Sequence, residues 1–129
     1  MDVRDCENCA YHTEEGCCKW ECEFKRKMTS ESREKVYRAS IATYGKEAQI
    51  DMAIEEMSEL IKALLKFRRF GCSENSVDYL ENIYEEIADV KIMIRQLEMI
   101  YEGENEVDEW IDKKVERQIE RLAEKARKK

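Results

Sequence analysis

Two pairs of acidic residues have a spacing that would place each pair on one side of a helix. Glu56 and Glu59 are three residues apart, and so are Glu86 and Asp89. Residues i and i+3 of an α-helix lie about 60° apart around its axis, so the members of each pair share a face. Carboxylate oxygens gathered in this way could hold a cation or accept a proton.

The apolar residues around both pairs predict that these faces point toward the core. Glu86 projects among the residues that define the core direction of its helix, in line with Tyr79, and Asp89 lies at their margin; these residues are Ile83, Val90, Met93, Ile94 and Leu97. Glu56 and Glu59 lie along the edge of a second apolar face, formed by Ala53, Met57, Leu60 and Leu64. Burying ionised carboxylates without partners is strongly unfavourable, so we expect cations to neutralise them.

Two kinds of cation could neutralise these carboxylates. Lysine or arginine side chains of a neighbouring helix could form ion pairs with them. The recurrence of the acidic pair on two successive helices favours a divalent metal ion instead, and four carboxylates without an imidazole suit Mg²⁺ or Mn²⁺. A di-iron bundle would require Glu-x-x-His on two helices, and the single histidine, His12, cannot supply it.

The composition predicts an all-α scaffold for these residues. The 129 residues include no proline and four glycines, which favours long helices. We predict a cysteine-rich segment over 1–27 and a helical domain over 28–129, with helices from about Ser30 to Tyr44, from Lys46 to Phe70, from 76 to 102, and from 105 nearly to the C-terminus. Ser30 and Asn105 are the expected N-caps, and Gly45, Gly71 and Gly103 are the expected helix ends.

The last predicted helix carries an apolar stripe beside a basic one. The apolar stripe recurs at helical spacing and consists of Val107, Ile111, Val115, Ile119, Leu122 and Ala126. The basic stripe begins beside Trp110 and consists of Lys114, Arg117 and Arg121. It is either a solvated edge or a cationic rim above an anionic ligand.

Charge and hydropathy exclude several classes of protein. The net charge of -7 weighs against a general nucleic-acid-binding protein, which would present a basic face to phosphates. No apolar run approaches the roughly 20 residues needed to span a bilayer. The N-terminal sequence MDVRDCENC lacks an apolar signal core, so we expect a cytoplasmic protein.

The acidic motifs resemble those of a known family. Glu55-Glu56-x-x-Glu59, followed after 26 residues by Glu86-x-x-Asp89, is similar to the EExxE…ExxD signature of the MazG-like all-α nucleoside triphosphate pyrophosphohydrolases. The resemblance covers roughly residues 36–122, including MAIEEMSELIKALLKFRR and YEEIADVKIMIRQLEMIY. It implies a small four-helix bundle that forms a homodimer or a dimer of dimers. Its implied Mg²⁺ ligands are Glu56, Glu59, Glu86 and Asp89, with Glu55 supporting the metal site or a metal-bound water.

The implied activity is hydrolysis of a canonical or modified dNTP to monophosphate and pyrophosphate, which removes unwanted nucleotides. A bound Mg²⁺ would neutralise the triphosphate and lower the pKa of a water molecule, and Glu55 or Glu59 is the candidate to accept its proton. Candidate substrate contacts are Gln49, Lys62, Lys66, Lys114, Arg117 and Arg121. Gln49 could read the base or simply pack, and each cation could instead be solvated.

The N-terminal cysteines predict a second metal site. Five of the six cysteines fall within the first 22 residues, and Cys6, Cys9, Cys18 and Cys22 have a spacing typical of a structural zinc site. Cys17 or His12 could replace one of these ligands. The alternatives are a flexible tail of reduced thiols and a redox sensor.

Two other functions share some of these features. A phosphoribosyl-ATP pyrophosphohydrolase would carry the same carboxylates, although the cysteine-rich segment argues mildly against it. A zinc-knuckle adaptor could use its helices to bind nucleotides, or nothing, without turnover. A binding module has no need to retain buried acidic groups, so the sequence favours the hydrolase.

Overall fold

The computed structural model describes residues 28–72 and 74–129, together with the backbone of two short strands. Strand β1, His12–Thr13, pairs antiparallel with β2, Gly16–Cys17, and His12 lies opposite Cys17. The predicted zinc ligands Cys6, Cys9, Cys18 and Cys22 lie outside the described residues, as do the side chains of His12 and Cys17. The zinc site therefore stays a prediction.

Four helices account for most of the described residues and confirm the all-α class. They are α1 (Ser30–Tyr44), α2 (Lys46–Phe70), α3 (Ser76–Tyr101) and α4 (Glu104–Arg127). The contacts divide the chain into two units, Met1–Val36 and Tyr37–Lys129. The predicted domain boundary after residue 27 stays a prediction. None of the helices formed by described residues is both long enough and apolar enough to cross a bilayer.

Gly45 joins α1 to α2 in a conformation that few other residues adopt. Its φ of 91° lies in the left-handed region, where a Cβ is disfavoured. Its backbone N–H donates to the carbonyl of Ile41 at 2.9 Å, and its own carbonyl accepts from the backbone N–H of Gln49 at 3.2 Å. One glycine thus ends α1, as predicted, and also begins α2.

Three predictions about the other helix ends are wrong. Thr29, rather than Ser30, caps α1, because its Oγ1 accepts the N–H of Ser32 at 3.1 Å. At the end of α3, the left-handed residue is Glu102 (φ 51°), one position before the predicted Gly103. Gly103 is instead the N-cap of α4, so Asn105 lies inside that helix. A bond from the N–H of Gly103 to the carbonyl of Glu98 fixes this junction.

Helices α2 and α3 form an antiparallel pair along one buried seam. The side chains of Gln49 and Gln96 are hydrogen-bonded far from the loop that connects the two helices. Beside that loop, the ring centres of Phe70 and Tyr79 lie 6.2 Å apart. Among the residues that the structure describes, the buried side chains come from these two helices and are Gln49, Ala53, Ala63, Ile83, Val90, Met93, Gln96 and Ile100. The seam therefore combines small residues of α2 with larger apolar residues of α3.

The predicted core direction of α2 is wrong by part of a turn. Met57 and Leu64 are 37% and 44% exposed, whereas Ala63 is 4% exposed. On α3, Ile83, Val90 and Met93 are buried as predicted, but Ile94 is 43% exposed. Because α2 turns alanines rather than its larger residues toward α3, Glu56 lies within the seam instead of at its edge.

Helix α4 contacts α3 but has no buried residue. At its start, the guanidinium of Arg95 bridges the carboxylates of Glu98 and Glu104 at 3.0 and 3.1 Å. The apolar stripe predicted on α4 is exposed within the chain, with Ile111 at 50% and Leu122 at 67%. An exposed apolar stripe is typical of a surface that contacts another protein.

Candidate metal centre

Three of the four predicted ligands meet between α2 and α3. Glu56, Glu86 and Asp89 each contribute one carboxylate oxygen to a group in which all these atoms lie within 4.8 Å of one another. All three residues are half-buried. We refer to this group as the carboxylate triad.

The periodicity of the two helices places the triad. Residues spaced alternately four and three positions apart lie on one side of a helix. On α2, this spacing places Glu56 on the side that faces the seam, in the series Gln49, Ala53, Glu56, Leu60 and Ala63. On α3, Glu86 lies between the buried Ile83 and Val90 in the same alternation. Asp89 follows Glu86 by three residues and shares its face. The packing that buries the apolar residues therefore also brings the carboxylates together.

Among the described residues, the negative charge of the triad is offset only in part, by the charge of Lys62 acting on Glu86. Partial burial raises the pKa of Glu56, and the neighbouring charges of Asp89 and Glu86 raise it further. The pKa of Glu86 is raised for the same reasons, first by desolvation and then by Asp89. Among the described residues, no cation forms an ion pair with a triad member. The alternative that lysines or arginines neutralise these carboxylates therefore does not account for the triad.

Glu59, the fourth predicted ligand, turns toward Lys62 rather than the triad. The ammonium of Lys62 donates to Oε1 of Glu59 at 2.7 Å, and this bond raises the pKa of Lys62. The Glu59 side chain is 43% exposed. Lys62 also acts to lower the pKa of Glu86, so its charge reaches the triad. A predicted ligand and a predicted substrate contact thus form a local pair beside the site.

The remaining candidates on α2 lie around the site in different settings. Glu55 is exposed, and its charge contributes to the raised pKa of Glu56. Gln49 is buried and donates from Nε2 to Oε1 of Gln96 at 2.6 Å, so it packs within the seam. The ammonium of Lys66 lies 5.5 Å from the centre of the Tyr79 ring.

The structure does not bring the basic residues of α4 to the triad. Lys114, Arg117 and Arg121 are exposed. The neighbouring charges that shift the pKa values of Glu56 and Glu86 most belong to residues of α2 and α3. Within this chain, the predicted cationic rim on α4 is therefore separate from the site.

Gln96 is a residue of the site region that sequence analysis missed. It is 3% exposed and stands among apolar residues, between Met93 and Ile100. A polar residue between two apolar positions of the helix face was the available signal, because a buried amide needs a hydrogen-bonding partner. The identity of that partner depends on how the two helices align, which periodicity alone does not specify.

The donor set fits a hard divalent cation. Mg²⁺ and Mn²⁺ prefer oxygen ligands and are often held by a few carboxylates, with water and substrate phosphates completing the coordination. Negative charge gathered around one point attracts such an ion. The triad could therefore hold a divalent cation.

No protein-family model, curated protein or solved structure that was compared with this chain matches it.

Proposed function

We propose that this protein is a Mg²⁺-dependent nucleoside triphosphate pyrophosphohydrolase that acts on a canonical or modified dNTP. The convergence of Glu56, Glu86 and Asp89, which form no ion pair with a cation among the described residues, supports this proposal most directly. The similarity of their motifs to those of the MazG-like enzymes supports this class of reaction. A fourth carboxylate, Glu59, lies one turn from Glu56 and could join the ligands.

The residues of the chain would divide the work between holding the ion and handling the proton. Glu56, Glu86 and Asp89 would hold the metal, which supplies charge neutralisation for the triphosphate and acidifies a water molecule. Glu55 and Glu59 are carboxylates exposed enough to reach water, so either could accept the proton released during attack on the α-phosphorus. Lys62 is placed beside Glu59 and could contact a phosphate oxygen.

Exposed apolar surface supports the oligomer that the resemblance implies. Helix α2 exposes Ile54 and Ile61 at 63% and 58%, on the side away from the seam. Helix α4 exposes Ile119 at 61%. Burying a fully exposed side chain of this kind stabilises by about 1.5–3 kcal/mol, and each of these would gain part of that, so association of chains through these faces is expected. A partner chain could also bring basic residues of its α4 to the triad.

The decisive experiment measures pyrophosphate release from a panel of canonical and modified dNTPs with Mg²⁺. The test variants are Glu56→Gln, Glu86→Gln and Asp89→Asn, which preserve side-chain size while removing charge. The matched controls are Asp51→Asn on α2 and Glu81→Gln on α3, since both residues are exposed acids of the same helices. Release that is abolished in the test variants and retained in the controls supports the proposal.

Three other outcomes would redirect the assignment. Equal release by the parent and the triad variants would refute the metal assignment. Metal binding that depends on the triad, without turnover of any triphosphate, would favour a nucleotide-binding module. Hydrolysis of phosphoribosyl-ATP alone would assign the related biosynthetic activity.

We also propose a structural zinc ion on Cys6, Cys9, Cys18 and Cys22. The support is the spacing of these thiols in the sequence. Purified protein should contain about one zinc per chain, and Cys6→Ser should lower that content. Unchanged zinc content in Cys6→Ser would remove this assignment without affecting the carboxylate site.

A further inference from the structure

A buried amide pair crosses the seam between α2 and α3. Gln49 is 7% exposed and Gln96 is 3% exposed, and Nε2 of Gln49 donates to Oε1 of Gln96 at 2.6 Å. Apolar side chains of similar size could fill this space without any hydrogen bond. A buried pair of this kind contributes modestly to stability, but leaving an amide without a partner is strongly unfavourable. The pair therefore penalises every alignment of the helices except the one in which the amides meet.

The amide pair and the carboxylate triad belong to the same alignment. Glu56 follows Gln49 by seven residues, and Asp89 precedes Gln96 by seven residues. Moving forward along one helix of an antiparallel pair corresponds to moving backward along the other. The level at which Gln49 meets Gln96 is thus two turns, or about 10.5 Å, from the level at which Glu56 meets Asp89. An alignment that satisfies the first contact also produces the second.

The triad cannot fix this alignment by itself. Its three carboxylates repel one another in the metal-free protein, so sliding α2 along α3 would relieve the repulsion. The α2 side of the seam offers little resistance, because the buried Ala53 and Ala63 have no side-chain atoms beyond Cβ that could interlock with α3. A directional contact is needed to oppose the repulsion.

We propose that the hydrogen bond between Gln49 and Gln96 holds α2 and α3 in the register that sets Glu56 opposite Glu86 and Asp89. The two glutamines are positioning residues. Their role in metal binding rests on the proposed function, whereas their role in register does not. Single buried polar pairs are known to specify the register of helix pairs at a cost in stability.

The test replaces both amides with apolar side chains in the full-length protein. In Gln49→Leu/Gln96→Leu, neither partner is left unsatisfied, so helix content should be unchanged and the thermal midpoint equal or higher. The register is read without metal from the NOE between the methyl groups of Ala53 and Met93. These buried residues lie on facing helices between the amide pair and the triad. We expect this NOE to weaken, and Mn²⁺ affinity to fall by about 10-fold or more.

A matched variant separates loss of the amides from general repacking. Ile100→Leu alters another buried residue of α3 while preserving the amide pair, so it should keep both the NOE and the Mn²⁺ affinity. If the double variant does not fold, Gln49→Met/Gln96→Met, which also leaves no unpaired amide and adds a more flexible side chain, provides the same two measurements. This variant should also weaken the NOE and lower the Mn²⁺ affinity.

The possible results are distinguishable. An unchanged NOE together with Mn²⁺ affinity within about twofold of the parent would overturn the proposal, since removing a residue that positions metal ligands typically lowers affinity by about 10- to 100-fold. A weakened NOE with unchanged affinity would overturn the link between register and metal. If the parent itself binds no Mn²⁺, the proposed function fails, and the NOE comparison still decides whether the amides set the register.

Discussion

Replacing Glu56 with glutamine should have opposite effects on stability with and without metal. The Glu56 carboxylate belongs to a group whose oxygens lie within 4.8 Å of one another, and its pKa is raised by burial and by the other carboxylates. Without metal, its charge therefore opposes folding. With metal, the same charge is a source of binding free energy.

The size of the first effect follows from the geometry. Two unit charges at the 4.8 Å limit repel by about 1 kcal/mol in water, which is the appropriate medium for a half-exposed pair such as Glu56 and Asp89. In EDTA near neutral pH, Glu56→Gln should therefore raise the thermal midpoint by about 3 °C for a domain of this size. With Mg²⁺ at about 100 times its Kd, the parent should gain about 2.7 kcal/mol that the variant lacks.

The assay is thermal unfolding followed by circular dichroism at one fixed protein concentration. Asp51→Asn removes an exposed acid from the same helix and should leave both midpoints close to those of the parent. A lower midpoint of Glu56→Gln in EDTA would show that the carboxylate has a stabilising partner. A full Mg²⁺-induced rise in that variant would show that Glu56 is not a ligand.

Three further predictions follow from other features of the chain. Folding raises the pKa of Glu56 and Glu86 above the usual 4.5, so the folded state binds more protons than the unfolded state. Their contribution to metal-free stability should be fully present below that value and lost as pH rises through the raised pKa. Thermal midpoints across this interval should vary less in Glu56→Gln/Glu86→Gln than in the parent. Gly45→Ala should destabilise by about 1–2 kcal/mol in denaturant titrations, because its φ is 91°, whereas Gly103→Ala should cost less, because its φ of -117° is open to alanine. Ile119→Asp should lower the oligomeric state measured by sedimentation if the exposed stripe of α4 is an interface, whereas Glu120→Gln should not. An unchanged sedimentation coefficient for Ile119→Asp would exclude that stripe as the interface.

Local signals in the sequence predicted the helices well. The bounds of α1 and α2 agree with the expected residues, since Gly45 and Gly71 stand at their ends. The junction after α3 was predicted less well, because Glu102 adopts the left-handed conformation that the sequence suggested for glycine. The difference arises from a choice between adjacent residues that only the complete hydrogen-bonding pattern decides.

Contacts between helices were harder to predict than the helices themselves. Large apolar residues usually mark a buried face, but α2 buries Ala63 and exposes Leu64. The convergence of Glu56, Glu86 and Asp89 could be expected from spacing, because each lies near an apolar face. The pairing of Glu59 with Lys62 could not be chosen over metal ligation, since an i,i+3 ion pair and a shared metal site require the same spacing.

The alanines on either side of Glu56 bear on which ion the protein would select. Ala53 and Ala63 are 1% and 4% exposed and have no bulk beyond Cβ, so the two helix axes can approach closely around the carboxylates. Mg²⁺ needs oxygen atoms at about 2.1 Å, whereas Ca²⁺ accepts longer distances and more ligands. A larger side chain at either position would push the backbones apart and enlarge the space between the acids. Discrimination by ionic radius would then depend on two residues that have no polar side-chain atom.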